Sequence, residues 1–348
     1  MFIMKCRKTG FYKIFKATHA NKFFILFIPL ITLIFIIISP AESIFAAKCG
    51  FFVWEEKVFP ALFPFFVCSE LLIKSGIIKF VGCFFDKLMY PLFKQPGQSA
   101  FAFLAGSTGG YPLGAKITCS LYAENEISKG QAERLLAFTN NASPAFIMGS
   151  VASAILGKPE FGTILFSAHI LSSFLVGILS RFYPDKSYYS KFKNENFKNK
   201  IKKALSEFNN GKIDLGKSLT ESIKNSLISV TVICGFIVFF SVLTTFIGKT
   251  ILNPENTLFN CVFSGAIEMT NGLNYLSGFF SGGSFITNPF NVRLCICAAS
   301  FVLGFGGICI HFQVYSIISR YELSIVPYIT GKIIQGFLAA LICFAALS

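Results

Sequence analysis

Two carboxylates stand inside apolar sequence, each beside residues suited to holding a polar solute. Glu70 falls in the run from Val58 to Ile73, and Glu268 falls within Gly265-Ala266-Ile267-Glu268-Met269-Thr270-Asn271-Gly272. An ionisable group in a membrane span costs at least about 2.5 kcal/mol on insertion scales, and by default it marks a solute path or proton relay. Glu70 and Glu268 are therefore candidates for proton or ion coupling. Lys74, four residues after Glu70 and on the same helical face, offers an ordinary ion-pair partner instead. Glu268 has no cation near it in sequence.

Neutral donors and acceptors gather around glycine-rich breaks in both halves of the chain. The first half carries Gly106-Ser107-Thr108-Gly109-Gly110-Tyr111-Pro112-Leu113-Gly114-Ala115-Lys116, then Asn140-Asn141-Ala142-Ser143-Pro144. The second carries the Glu268 motif, then Gly304-Phe305-Gly306-Gly307-Ile308-Cys309-Ile310-His311-Phe312-Gln313. Helix breakers at membrane depth free backbone groups that lipid cannot satisfy, so protein or a water-filled cavity must meet them. A pair of such interruptions, one per half, points to a transporter's substrate site. Ser107, Thr108, Asn140, Asn141 and Ser143 would bind solute from the first half, with Thr270, Asn271, His311 and Gln313 from the second. Half-helix N-termini beside them favour anions. Small and hydroxylated residues also let helices pack closely, which is the competing explanation. Lys116 could counter an anionic solute or snorkel to the interface. His169, inside an apolar span, reads as a packing residue.

The elements that must position these residues are membrane helices. The chain has 348 residues, 53% of them hydrophobic, with 44 Phe and a mean hydropathy of +0.64. Only 14% are charged, well below the roughly 25% of a soluble domain. The length suits one all-α polytopic unit of about eight to ten spans and half-spans. The net charge of +14 concentrates in residues 1–22 and in the loop 181–225, which the positive-inside rule places in the cytoplasm. These segments flank a first transmembrane repeat at 23–180 and precede a second at 226–348. Each repeat reads as an apolar span, a re-entrant hairpin, a Gly/Asn-interrupted helix and a closing span. Phe23 to Ser39 is read as an uncleaved first span, since no small-residue cleavage site follows it. Ala41 to Lys57 reads as an interfacial helix, and Lys116 to Arg134 as rim.

Several classes fall away. The basic loop has scattered aromatics but no nucleic-acid recognition motif, so membrane lipid is its expected partner. Most of the 11 cysteines sit in apolar runs without a Cys-x-x-Cys spacing, and no metal or cofactor site is expected. No phosphate loop, His-Glu-x-x-His or Gly-x-Ser-x-Gly nucleophile turn is present, so an enzyme is not expected. Nothing in the sequence opposes a homo-oligomer.

Four stretches carry a family resemblance. Phe59-Pro60-Ala61-Leu62-Phe63-Pro64-Phe65-Phe66-Val67, the Gly106–Lys116 motif, Asn140-Asn141-Ala142-Ser143-Pro144 and Glu268-Met269-Thr270-Asn271-Gly272 together resemble the sporulation integral membrane protein YlbJ family, within the nucleoside-recognition or Gate group. The resemblance runs from about Phe23 to the end. It implies a core like that of concentrative nucleoside transporters. It also implies a role in endospore formation, passing dipicolinic acid out of the mother-cell cytosol across the outer forespore membrane. The small anionic solute would then be dipicolinate or a similar acid.

Overall fold

The computed structural model describes residues 18–183, 199, 201–202, 204–206, 214–250, 252, 256–281 and 289–348. Residues 1–17 of the basic N-terminus and most of the basic loop 181–225 lie outside the described residues. Among the described residues every regular element is helical.

The first half opens with α1 (Thr18–Ile38) and α2 (Pro40–Val53), which are bent by 118° at Ser39. Pro40 has no N–H to lose at a helix start, so it suits the first position of α2. A π-helical turn at Trp54–Val58 leads into α3 (Phe59–Lys74), and α4 (Ile77–Phe93) follows after an 85° bend. Next come two 11-residue helices, α5 (Ser99–Gly109) and α6 (Leu113–Ala123). At 1.5 Å per residue each is about 16 Å long, roughly half of a hydrocarbon core. Then α7 (Lys129–Thr139) stops at a non-helical stretch over 140–143, a π-helical segment runs over Ala145–Ile155, and α8 (Gly162–Ser180) closes the half.

The second half of the chain follows. The long α9 (Leu215–Thr250) precedes a short pair, α10 (Thr257–Ile267) and α11 (Met269–Ser281), separated by Glu268 alone. α12 (Pro289–Phe305) breaks at Gly306 and resumes as α13 (Gly307–Ile318), and α14 (Val326–Ala346) ends the fold. Among the described residues, four stretches are long and apolar enough to cross a membrane: Pro159–Ser180, Leu215–Thr250, Pro289–Tyr321 and Val326–Ala346. Counting each bent pair as one span raises the number to six. Leu26, Ile37, Phe45, Phe337 and Leu341 are exposed on the outer surface, where lipid rather than water would satisfy them.

The core sits where the halves meet. α14 packs along α12 and α8, and also touches α7. The short pairs fold tightly on themselves because glycines line the seam. The Thr139 carbonyl lies about 2.0 Å from where a Cβ would stand on either Gly106 or Gly114. Any side chain at those two positions would drive α5 and α6 off the end of α7.

One segment departs from the sequence reading. Lys116 to Arg134 reads as rim, yet α6 buries Ile117, Thr118, Cys119 and Leu121, and α7 buries Gln131 through Thr139. The polarity of α7 is tolerated because its polar groups are paired. Ser128 and Gln131 form a reciprocal cap. Glu133 Oε1 accepts the Ser324 N–H at 3.0 Å, and Gln95 Nε2 donates to the Gln131 carbonyl at 3.1 Å.

Candidate functional site

The breaks of both halves converge on one buried polar network, and α14 supplies its centre. Tyr328, Lys332 and Gln335 lie at i, i+4 and i+7 of that helix, on one face. All three are fully buried. Lys332 Nζ donates to Gln335 Oε1 at 2.6 Å, to the Asn140 carbonyl at 2.9 Å and to Tyr111 Oη at 3.3 Å. Each of these acceptors is neutral. A lysine buried among neutral oxygens has no counter-charge, and an arriving anion would supply one.

The remaining contacts tie the two halves together. Tyr111 Oη donates to the Leu303 carbonyl at 2.7 Å. Gln335 Nε2 donates to Asn141 Oδ1 at 2.9 Å and to the His169 carbonyl at 3.3 Å. Asn141 Nδ2 in turn reaches the Phe138 carbonyl and Ser173 Oγ, both at 3.0 Å, and Ser107 Oγ at 3.2 Å. Asn140 Nδ2 meets Tyr328 Oη at 3.5 Å, and His311 Nδ1 lies 3.1 Å from the same hydroxyl. The Ala142 N–H donates to His169 Nε2 at 3.0 Å, so the proton of a neutral His169 sits on Nδ1. That Nδ1, His311 Nε2 and Asn140 Oδ1 are buried without a hydrogen-bond partner among the described residues. Buried polar atoms are rarely left so, and three at one crossing suit a site for a polar molecule.

Local backbone explains the convergence. Gly306 and Gly307 have φ of 89° and 82°, a region that side chains disfavour. At Gly306 the Tyr111 ring stands 3.7 Å from a notional Cβ, and at Gly307 the Gly265 carbonyl stands 2.8 Å from one. The turns of both short helix pairs therefore abut the single break between α12 and α13.

The sequence-predicted residues separate into groups. Ser107, Asn140, Asn141 and His311 belong to the network. Ser143 lies beside it, accepting the Phe146 N–H at 3.2 Å to cap the π-helical segment. Thr108 is exposed and its hydroxyl donates to the Leu104 carbonyl of its own helix. Gln313 is buried, with its amide on Cys309 Sγ at 3.4 Å. Thr270 and Asn271 lie at the start of α11, where their N–H groups donate to the Glu268 carboxylate at 3.2 and 2.7 Å. A carboxylate there is stabilised by the free N–H groups and positive end of the helix. Asn271 also opens onto a cavity of about 470 Å³, where its Nδ2 donates to Thr244 Oγ1 at 2.8 Å.

Glu70 and Lys116 form a third group. Glu70 Oε1 takes Lys74 Nζ at 3.2 Å and Asn225 Nδ2 at 2.8 Å, and Oε2 lies 3.8 Å from Lys116 Nζ. Lys116 also donates to Ser229 Oγ at 3.2 Å. Glu70→Gln should destabilise the protein by about 1–3 kcal/mol, because it leaves Lys116 without its counter-charge while Lys74 keeps Glu221. Glu70→Gln with Lys116→Met should recover part of that loss in a thermal-unfolding cycle. Strict additivity of the two substitutions would contradict the coupling.

Lys332, Gln335, Tyr328, Ser173 and the Tyr111 hydroxyl carry much of the site and escape the sequence reading, as does the polar role of His169. A signal existed. A lysine and a glutamine three residues apart within the last apolar span are as conspicuous as Glu70, but lie near its start, where a cation passes for an interfacial anchor.

Residues 56–253 match the Gate family, described as nucleoside recognition. Sporulation integral membrane protein YlbJ of Bacillus subtilis (strain 168) is 34% identical over 317 residues, covering 88% of this chain and 78% of the relative. An uncharacterized protein of Alkalihalophilus pseudofirmus is 27% identical over 128 residues, covering 32% of this chain and 28% of its own. No solved structure matches the chain.

Proposed function

Because the chain belongs to the Gate family and, over most of its length, to the sporulation integral membrane protein YlbJ family, we propose that it is a transporter of a small organic anion. The anion is dipicolinate, moved out of the mother-cell cytosol across the outer forespore membrane by alternating access. The observation that carries the reading is Lys332, fully buried at the crossing of the helix breaks with neutral acceptors only. The short pairs α5–α6 and α10–α11 are read as re-entrant hairpins, and the whole as akin to the core of concentrative nucleoside transporters. The solute would sit between Lys332, Asn140, His169 and His311.

The two candidate acids lie outside this network. Glu70 is matched by Lys74 and Lys116, and Glu268 is held by the N–H groups of α11. The family description favours a second reading, a nucleoside, for which the amides of Asn140, Asn141 and Gln335 would serve equally. Uridine competing with dipicolinate for the purified protein would favour that reading. In cells, spores lacking the gene should hold little dipicolinate while mother-cell synthesis continues. Normal spore dipicolinate would remove dipicolinate as the solute and leave another anion or a scaffold role in spore assembly.

A further inference from the structure

One face of α9 changes character along its length. Ser229, Val232, Phe236, Phe240, Thr244 and Gly248 recur every three or four residues, so they form one stripe. At one end Ser229 and Val232 line a small cavity with Lys116, Ser316, Arg320 and Tyr321. At the other, Thr244 and Gly248 line the 470 Å³ cavity with Ser264, Asn271 and Tyr275. Ser229 and Thr244 are about 22 Å apart along the helix at 1.5 Å per residue, most of the thickness of a hydrocarbon core.

The stretch between the cavities is apolar and aromatic. Phe312 of α13 stacks on Phe236 with ring centroids 6.2 Å apart and meets Phe240 at 5.8 Å. Phe240, Leu243 and Cys309 are buried in a cluster that also takes in Ile267 of α10. Phe240 is 3% exposed, although it lies on the same stripe as the cavity-lining Thr244.

We propose that this stripe is the solute path on the α9 side of α13, whose His311 borders the buried site, with a polar opening towards each membrane face and Phe236, Phe240 and Phe312 as the barrier between them. The inference rests on the transport reading. An apolar constriction excludes water, and with it a charged solute, until its side chains part. The openings differ in chemistry. Lys116 and Arg320 place two cations beside the first, with Glu70 behind Lys116, and such a mouth attracts a carboxylate-bearing anion. The second offers the hydroxyls of Thr244, Ser264 and Tyr275 and the amide of Asn271, while its Lys249 is ion-paired with Glu42.

The test needs no knowledge of the solute. Ser229→Cys, Phe236→Cys, Phe240→Cys and Thr244→Cys are each made in the full chain. Each is treated in sealed vesicles of both orientations with a membrane-impermeant methanethiosulfonate, and labelling is read above that of the parent. The path predicts that Ser229→Cys and Thr244→Cys label from opposite faces. Phe236→Cys and Phe240→Cys should label more than about tenfold more slowly from either, since thiol reactivity follows access. Adding Phe312→Ala should speed labelling of Phe240→Cys. Labelling of Ser229→Cys and Thr244→Cys from the same face, or of neither, would overturn the path. So would labelling of Phe236→Cys as fast as Ser229→Cys. Dipicolinate binding measured on the parent chain separates the two levels: intact binding with a failed labelling pattern overturns the path alone.

Discussion

Lys332→Met should lower dipicolinate affinity roughly 100-fold, the scale of losing a charge-assisted hydrogen bond to a buried anion. The same substitution should also lower stability by about 1–3 kcal/mol, because Gln335 Oε1 and the Asn140 carbonyl lose their donor. Lys332 Nζ is fully buried and donates to Tyr111, Asn140 and Gln335. A purely structural lysine would lower the melting temperature on removal and leave the affinity of the folded fraction unchanged. Equilibrium binding to the folded fraction of the purified variant distinguishes the cases. Unchanged affinity would remove Lys332 from the site.

Asn141→Ala should act on the fold before it acts on the solute. Its amide joins the Phe138 carbonyl, Ser107, Ser173 and Gln335, so both of its polar atoms are occupied by protein. Removal leaves Ser107 Oγ and one Gln335 amide hydrogen short of a partner and takes a donor from the Phe138 carbonyl, which keeps Ser173. Each orphaned group costs about 1–3 kcal/mol in soluble proteins, and interhelical bonds in membranes average nearer 0.6 kcal/mol. A total loss of about 2–4 kcal/mol follows from these magnitudes. It is measurable as a lower yield of monodisperse protein and a lower melting temperature. Asn140 differs, since its Oδ1 is buried without a partner, so Asn140→Ala should weaken solute binding with a smaller stability cost. Equal destabilisation by the two substitutions would contradict this division of roles.

The breaks were legible because glycine, proline and asparagine interrupt apolar runs, and lipid cannot tolerate the backbone they free. Gly106–Lys116, Asn140–Pro144, Gly265–Gly272 and Gly304–Gly307 each coincide with a turn or a helix break. Partners across the fold were not legible. Nothing local in Tyr328, Lys332 or Gln335 tells that α14 threads between α8, α12 and α7. The polar helix α7 misled for a related reason, because polarity predicts exposure only until its groups find partners. Glu133 finds Ser324 from the other half of the chain. Glu268 shows the converse. No cation stands near it in sequence, and its partners are local backbone N–H groups two and three residues on, which donate to its carboxylate.

The most direct measurement is uptake of radiolabelled dipicolinate into proteoliposomes containing the purified full chain. The account predicts saturable uptake that excess uridine leaves unchanged and that Lys332→Met reduces to the level of empty liposomes. Uptake no greater than that of empty liposomes would contradict the account, as would uptake abolished by uridine.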